Sequence, residues 1–135
     1  MLQKIQHLGY AVEDIEATAS FYRESFGAEP SAPESVEEQG ILATMFEVGE
    51  STIELVQPTR PDSPVGKFLA KRGEGFHHVA FAVEDLDAAL AELKSRGVEL
   101  IDAEPRIGAG GTRMAFVHPK SAFGVLTELV ESPRD

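Results

Sequence analysis

A chain of 135 residues is long enough to bury a core of its own, and the absence of cysteine excludes disulfides, thiolate metal sites and thiol nucleophiles. The formal net charge of −11 argues against a nucleic-acid partner, because a polyanion would be repelled over most of such a surface. With 42% hydrophobic and 26% charged residues, no leader-like opening and no apolar run of membrane-spanning length, the expectation is a cytoplasmic globular protein without a membrane partner.

The chain opens on an alternating stretch, with Ile5, His7, Gly9 and Ala11 on one face and Leu8, Tyr10 and Val12 on the other, the period of a β-strand. Asp14 stands where a helix N-cap belongs. Ile15, Ala19, Tyr22 and Phe26 follow at helical spacing, and Gly27 is placed to stop the helix. Three strand-like runs come next, over residues 28–36, 40–48 and 51–57, the last two joined by a turn at Val48-Gly49-Glu50-Ser51. Residues 58–64 are a proline-rich linker, and a short helix is predicted over 65–72, ending at Gly73.

The second half repeats the first. His7-Leu8-Gly9-Tyr10-Ala11-Val12-Glu13-Asp14 returns as His78-Val79-Ala80-Phe81-Ala82-Val83-Glu84-Asp85, an offset of 71 residues. The helical stripe returns at the same offset as Leu86, Leu90 and Leu93, with Asp85 as its cap and Gly97 as its end. Strand-like runs are expected over 98–104, 112–118 and 124–130, with breaks at residues 108–111 and at His118-Pro119-Lys120-Ser121. Thr52-Ile53-Glu54-Leu55-Val56 is answered by Leu126-Thr127-Glu128-Leu129-Val130, offset by 74. The expected fold is α+β: a βαβββ module over residues 1–57, a linker with a short helix over 58–74 and a second module over 75–135, in one compact domain whose curved mixed sheet surrounds a cleft.

Each copy therefore carries one histidine and one glutamate in matching places, His7 with Glu54 and His78 with Glu128. Taken singly, a strand histidine is usually a hydrogen-bonded structural residue and a strand glutamate usually faces solvent. The repetition of both favours a shared two-histidine, two-carboxylate metal site. Small residues beside each histidine, Gly9 and Ala11 in one copy and Ala80 and Ala82 in the other, leave room for a ligand. Imidazoles and carboxylates without thiolate suit Co²⁺, Mn²⁺, Ni²⁺, Zn²⁺ or Fe²⁺. His77 should point away from His78 and be structural, and His118 should bond locally in its turn. The glycines of residues 108–111 read as a loop connection. Lys67, Lys71 and Arg72 read as a solvated helix face, with contact to a phosphorylated substrate tail as the alternative.

Paired modules of this kind resemble the vicinal-oxygen-chelate superfamily. Within it, Glu38-Gln39-Gly40, Arg60-Pro61-Asp62-Ser63-Pro64, Gly75-Phe76-His77-His78-Val79-Ala80, His118-Pro119-Lys120-Ser121 and Gly124-Val125-Leu126-Thr127-Glu128-Leu129 are similar to the methylmalonyl-CoA epimerase family. The resemblance implies a divalent cation, Co²⁺ first, held by His7, Glu54, His78 and Glu128. It also implies an acyl-CoA substrate epimerised through an enolate, Lys120 and Arg113 as substrate contacts, and a homodimer. Glu128 is the expected base on one face, with Glu54 or a water on the ion serving the other. Some family members carry a glutamate as proton carrier where this chain has Ala43, so the second carrier is left open. The competing readings are a glyoxalase I-type lyase using the same ligands, and a non-catalytic binding member of the superfamily.

Overall fold

The computed structural model describes residues 1–133. The chain packs as two compact units: His7–His77, and Met1–Gln6 with the chain from His78 onward. Among the described residues no helix is long and apolar enough to cross a membrane.

In the first unit the elements are β1 (Leu2–Ala11, whose opening residues belong to the other unit), α1 (Ile15–Phe26), β2 (Glu34–Val36), β3 (Ile41–Val48), β4 (Ser51–Pro58) and α2 (Pro64–Arg72). The strands lie in the order β2-β3-β4-β1, antiparallel except that β1 runs parallel to β4. The second unit repeats the plan with β5 (Gly75–Val83), α3 (Leu86–Ser95), β6 (Arg106–Ile107), β7 (Arg113–Val117) and β8 (Thr127–Glu131), ordered β5-β8-β7-β6 with β5 parallel to β8. The βαβββ unit is present twice, as the repeat predicts.

Both helices begin in the same way. Asp14 and Asp85 are extended N-caps whose carboxylates accept the backbone N–H of Ala17 and Ala88. A second acceptor comes from the last strand of the same copy: Gln57 takes the N–H of Ile15, and Glu131 that of Leu86. The repeat offset that relates Glu54 to Glu128 also relates these two residues, so each glutamate strand is tied three residues on to its own helix.

Each sheet packs one face on its helix. Val12, Ile15, Ala19, Phe46 and Leu55 form the core of the first unit, and Val83, Leu86, Ala89, Leu90, Ala115, Val117 and Leu129 that of the second. Fully burying a side chain such as Leu86 contributes about 1.5–3 kcal/mol. The predicted stripe on α1 stops short, because Phe26 lies at the helix end and is 70% exposed, with its ring edge-on to Phe21 and tilted against Tyr22.

Two predicted strands are shorter than their sequence suggests. Of residues 28–36 only Glu34–Val36 pair as a strand, since Pro30 and Pro33 cannot donate to a ladder. Residues 98–104 make a single bridge, Leu100 to Val117. There the Asp102 carboxylate accepts the Phe116 N–H in place of a backbone carbonyl, while the N–H groups of Ile101 and Asp102 share one carbonyl of Phe116.

Two of the sequence motifs prove to be parts of one clasp. Gly40, at φ +67°, lies under Arg60, which donates to the Glu37 carbonyl, while the Thr59 N–H reaches the Gly40 carbonyl. Ser63, fully buried, caps α2 through the Gly66 N–H and donates to the Arg60 carbonyl. A Cβ at Gly40 would sit 2.7 Å from Arg60 Nη1 and 2.9 Å from Ser63 Cβ, whereas Gly49 has the same backbone hand and open space. Gly40→Ala is therefore expected to cost about 1–3 kcal/mol in urea denaturation, and distinctly more than Gly49→Ala, which carries the backbone penalty alone.

Candidate metal centre

The face of each sheet turned away from the helix carries the ligand-type residues. In the first unit β1 and β4 are in parallel register, with Gly9 paired to Glu54 and His7 to Thr52. Strand neighbours in register share a face, so Glu54 sits beside a residue with no side chain, one pleat from the imidazole. Its carboxylate occupies that space: His7 Nε2 lies 3.5 Å from Glu54 Oε1. The second unit repeats the device, with Ala80 in register with Glu128 and His78 Nε2 at 3.2 Å from Glu128 Oε1. All four side chains are buried, at 5%, 6%, 3% and 6% relative exposure for His7, Glu54, His78 and Glu128. Phe116, in register with Glu128, meets the His78 ring edge-on at 5.7 Å.

Burying a carboxylate requires compensating positive charge or hydrogen bonding, and an imidazole at this distance is one such partner. The separations also suit a cation. Metal–ligand bonds of about 2.1 Å place two neighbouring ligand atoms about 3.0–3.4 Å apart in octahedral or tetrahedral geometry. Each His–Glu pair thus has the spacing of adjacent ligands on one ion, with nitrogen and oxygen donors only.

The remaining candidates separate clearly. His77 alternates away from His78 and packs edge-on against Phe68 of α2, with ring centroids 4.8 Å apart, as its strand position predicts. His118 Nδ1 accepts the Lys120 N–H within its turn, leaving the Lys120 side chain exposed. Residues 108–111 form a kinked glycine turn between β6 and β7, with Gly110 and Gly111 at positive φ. Arg113 is engaged by two carboxylates, Glu131 at 3.0 Å and Asp87 at 3.0 Å. These hydrogen bonds raise its already high pKa. To contact a substrate it would have to release both partners, one of which, Glu131, also caps α3. Sequence reading missed Gln57 and Glu131, although the 74-residue offset that singled out the glutamates would have paired them as well.

Residues 6–116 match the family model described as the Glyoxalase/Bleomycin resistance protein/Dioxygenase superfamily. The chain belongs to this superfamily. It is 38% identical to an ethylmalonyl-CoA/methylmalonyl-CoA epimerase of Cereibacter sphaeroides, across 96% of this chain and 98% of the relative. It is 40% identical to the uncharacterized protein YqjC of Bacillus subtilis, across 99% and 96%. Among solved structures, a point variant of a Streptomyces coelicolor methylmalonyl-CoA epimerase in complex with 2-nitronate-propionyl-CoA superposes with a TM-score of 0.94 at 46% identity, covering 98% of this chain and 96% of that one.

Because Arg113 joins α3 to β7 and β8 through one exposed ion pair, to Asp87, and one half-buried pair, to Glu131, Arg113→Met is expected to lower the melting temperature by an amount that shrinks in high salt. A loss that is unchanged at 1 M salt would assign the effect to packing instead.

Proposed function

We propose that this protein is a metal-dependent epimerase that interconverts (2R)- and (2S)-methylmalonyl-CoA by removing and returning the α-proton. The observation that carries this reading is similarity to named epimerases across nearly the whole chain, joined to a buried His–Glu pair kept in each copy. A nitronate is a planar anion with its charge on oxygen, which is the shape of a deprotonated α-carbon; its presence on the related enzyme fits enolate chemistry.

His7, Glu54, His78 and Glu128 together would hold one divalent cation, with Co²⁺ as the first choice among Co²⁺, Mn²⁺, Ni²⁺ and Zn²⁺. Such an ion supplies positive charge for the substrate's carboxylate and thioester oxygens, where negative charge gathers as the proton leaves. The protein's own part is to hold the acyl group and to move protons. Glu128 serves as base on one face of the α-carbon. Gly9, Ala11, Ala80 and Ala82 lie on the same strand faces as the histidines, and Gly9 and Ala80 give the two glutamates room to turn toward them. Lys120, exposed on its turn, offers positive charge to the coenzyme A phosphates of a substrate approaching a chain of net charge −11. A homodimer is part of the same reading, by resemblance.

The test is isotopic. In D₂O the metal-loaded protein is expected to exchange the α-hydrogen of methylmalonyl-CoA for deuterium, to lose this on chelation and to regain it with Co²⁺. His7→Ala and Glu128→Ala should each weaken Co²⁺ binding, measured by calorimetry, by at least about tenfold. No exchange, alongside turnover of the methylglyoxal–glutathione hemithioacetal, would make the protein a lyase. Absence of both activities and of stoichiometric metal would make it a binding protein.

A further inference from the structure

An epimerase that works on both faces of a planar intermediate needs two proton carriers. With Glu128 serving one face, the other calls for a further carboxylate on the same side of the sheet. The register of the first unit identifies the acids that meet this condition. Cross-strand partners share a face, so the Glu54 face of the sheet comprises Thr52 and Val56 on β4, Ile41, Ala43, Met45 and Glu47 on β3, and Glu34 and Val36 on β2. Glu34 and Glu47 are the acids of that group besides Glu54.

The two differ in what lies between them and Glu54. Glu47 is in register with Thr52 near the hairpin end of β3, and with Glu29, Ser31, Met45 and Thr52 it lines a pocket of about 530 Å³. Glu34 is in register with Ala43, which pairs in turn with Val56, and Val56 with Ala11. Ala43 is a diagonal neighbour of Glu54, since Met45, the next residue on that face, is the one in register with it. Ala43 and Ala11 are short, so the strip from Glu34 toward Glu54 has a low floor, edged by the two carboxylates. With strands about 4.8 Å apart, the two Cα atoms are separated by about 10–12 Å, a distance from which two glutamate side chains can converge over the buried Ala43.

The second copy lacks this arrangement. There the residue in the place of Ala43 is Met114, and the residue in the place of Glu34 is Arg106, which ion-pairs with Asp102 at 2.9 Å and cannot take up a proton from carbon. The low floor and the further carboxylate occur in one copy only, and Glu34, unlike the buried Glu54, is exposed and can exchange its proton with water.

We propose that Glu34, reaching across Ala43 from the neighbouring strand, is the second proton carrier, in the role that sequence reading left open between Glu54 and a water on the ion. This rests on the epimerase reading. On one face the Glu34 carboxylate takes the α-hydrogen as a proton, the C–H electron pair remains in the enolate, and the acid opposite delivers a proton to the same carbon. In the reverse direction the Glu34 carboxylic acid delivers its proton and returns to carboxylate.

The experiment follows α-deuterium uptake from each epimer separately in D₂O, with wild-type, Glu34→Gln, Glu34→Asp and Glu47→Gln proteins loaded with Co²⁺. Epimerisation by Glu34→Gln is expected to fall by about 10²–10⁴-fold, while α-exchange is lost from one epimer and kept for the other. Glu34→Asp should recover part of the lost rate, Glu47→Gln should match wild type, and Co²⁺ affinity should be unchanged throughout. Wild-type rates in Glu34→Gln, or equal loss of exchange from both epimers, would overturn the assignment while leaving the epimerase reading intact. Failure of the wild-type protein to exchange either epimer would instead remove that reading.

Discussion

The constraint on which the rest of the structure depends is the parallel register between the first and last strands of each copy. It sets Gly9 opposite Glu54 and Ala80 opposite Glu128, and in each case the small residue gives the carboxylate room to turn toward the histidine one pleat away. Because side chains alternate at every residue, a slip of one would send Glu54 into the apolar layer under α1 and bring Leu55 or Ile53 to the face that carries His7. A carboxylate among Phe46, Ile15 and Tyr22 would have no comparable partner, so the core itself enforces the pairing of histidine with glutamate.

That register is held at its far end by the helix. Gln57 and Glu131 close the N-terminal turn of α1 and α3 from the strands that bear Glu54 and Glu128, each three residues beyond that glutamate. Together with Asp14 and Asp85 they satisfy two of the N–H groups that a helix start leaves without an intrahelical partner, in both copies. Strand position and helix position are thus fixed by one residue. In the second copy this residue is also the anchor for Arg113, which extends the same tie to β7 and to Asp87. A basic side chain that sequence reading had assigned to the substrate is drawn into this framework by partners 18 and 26 residues away.

The doubled unit, its caps and its four ligand-type residues were legible because repetition supplies its own control: a pattern written twice at a constant offset is unlike chance alternation. Strand ends were less legible where side chains replaced backbone partners. Nothing local in Leu100-Ile101-Asp102 reveals that the aspartate will take the Phe116 N–H and stop the ladder, since that partner lies 14 residues on. Phe26 fits the helical stripe by spacing yet, as the last residue of α1, it is left exposed. The Glu38-Gln39-Gly40 and Arg60-Pro61-Asp62-Ser63-Pro64 motifs were read as family signatures, and their common purpose emerged only when Gly40 was found beneath Arg60 and Ser63.

Repetition also shows where the copies have parted. Both keep the small residues beside the histidine, but Ala43 and Met45 in one copy stand where the other has Met114 and Phe116. Metal holding asks the same of both halves, two donors at a fixed spacing, and there the halves agree to within a few tenths of an ångström, 3.5 Å against 3.2 Å. Moving a proton between the two faces of one carbon asks for different surroundings on each side, because the carbon's third substituent must lie somewhere while the hydrogen changes place. Glu34 beside Ala43 in the first copy, and Arg106 beside Met114 in the second, are corresponding places where the halves differ in this way. The symmetry of the fold is retained where the proposed cation needs it and lost where the substrate is itself asymmetric.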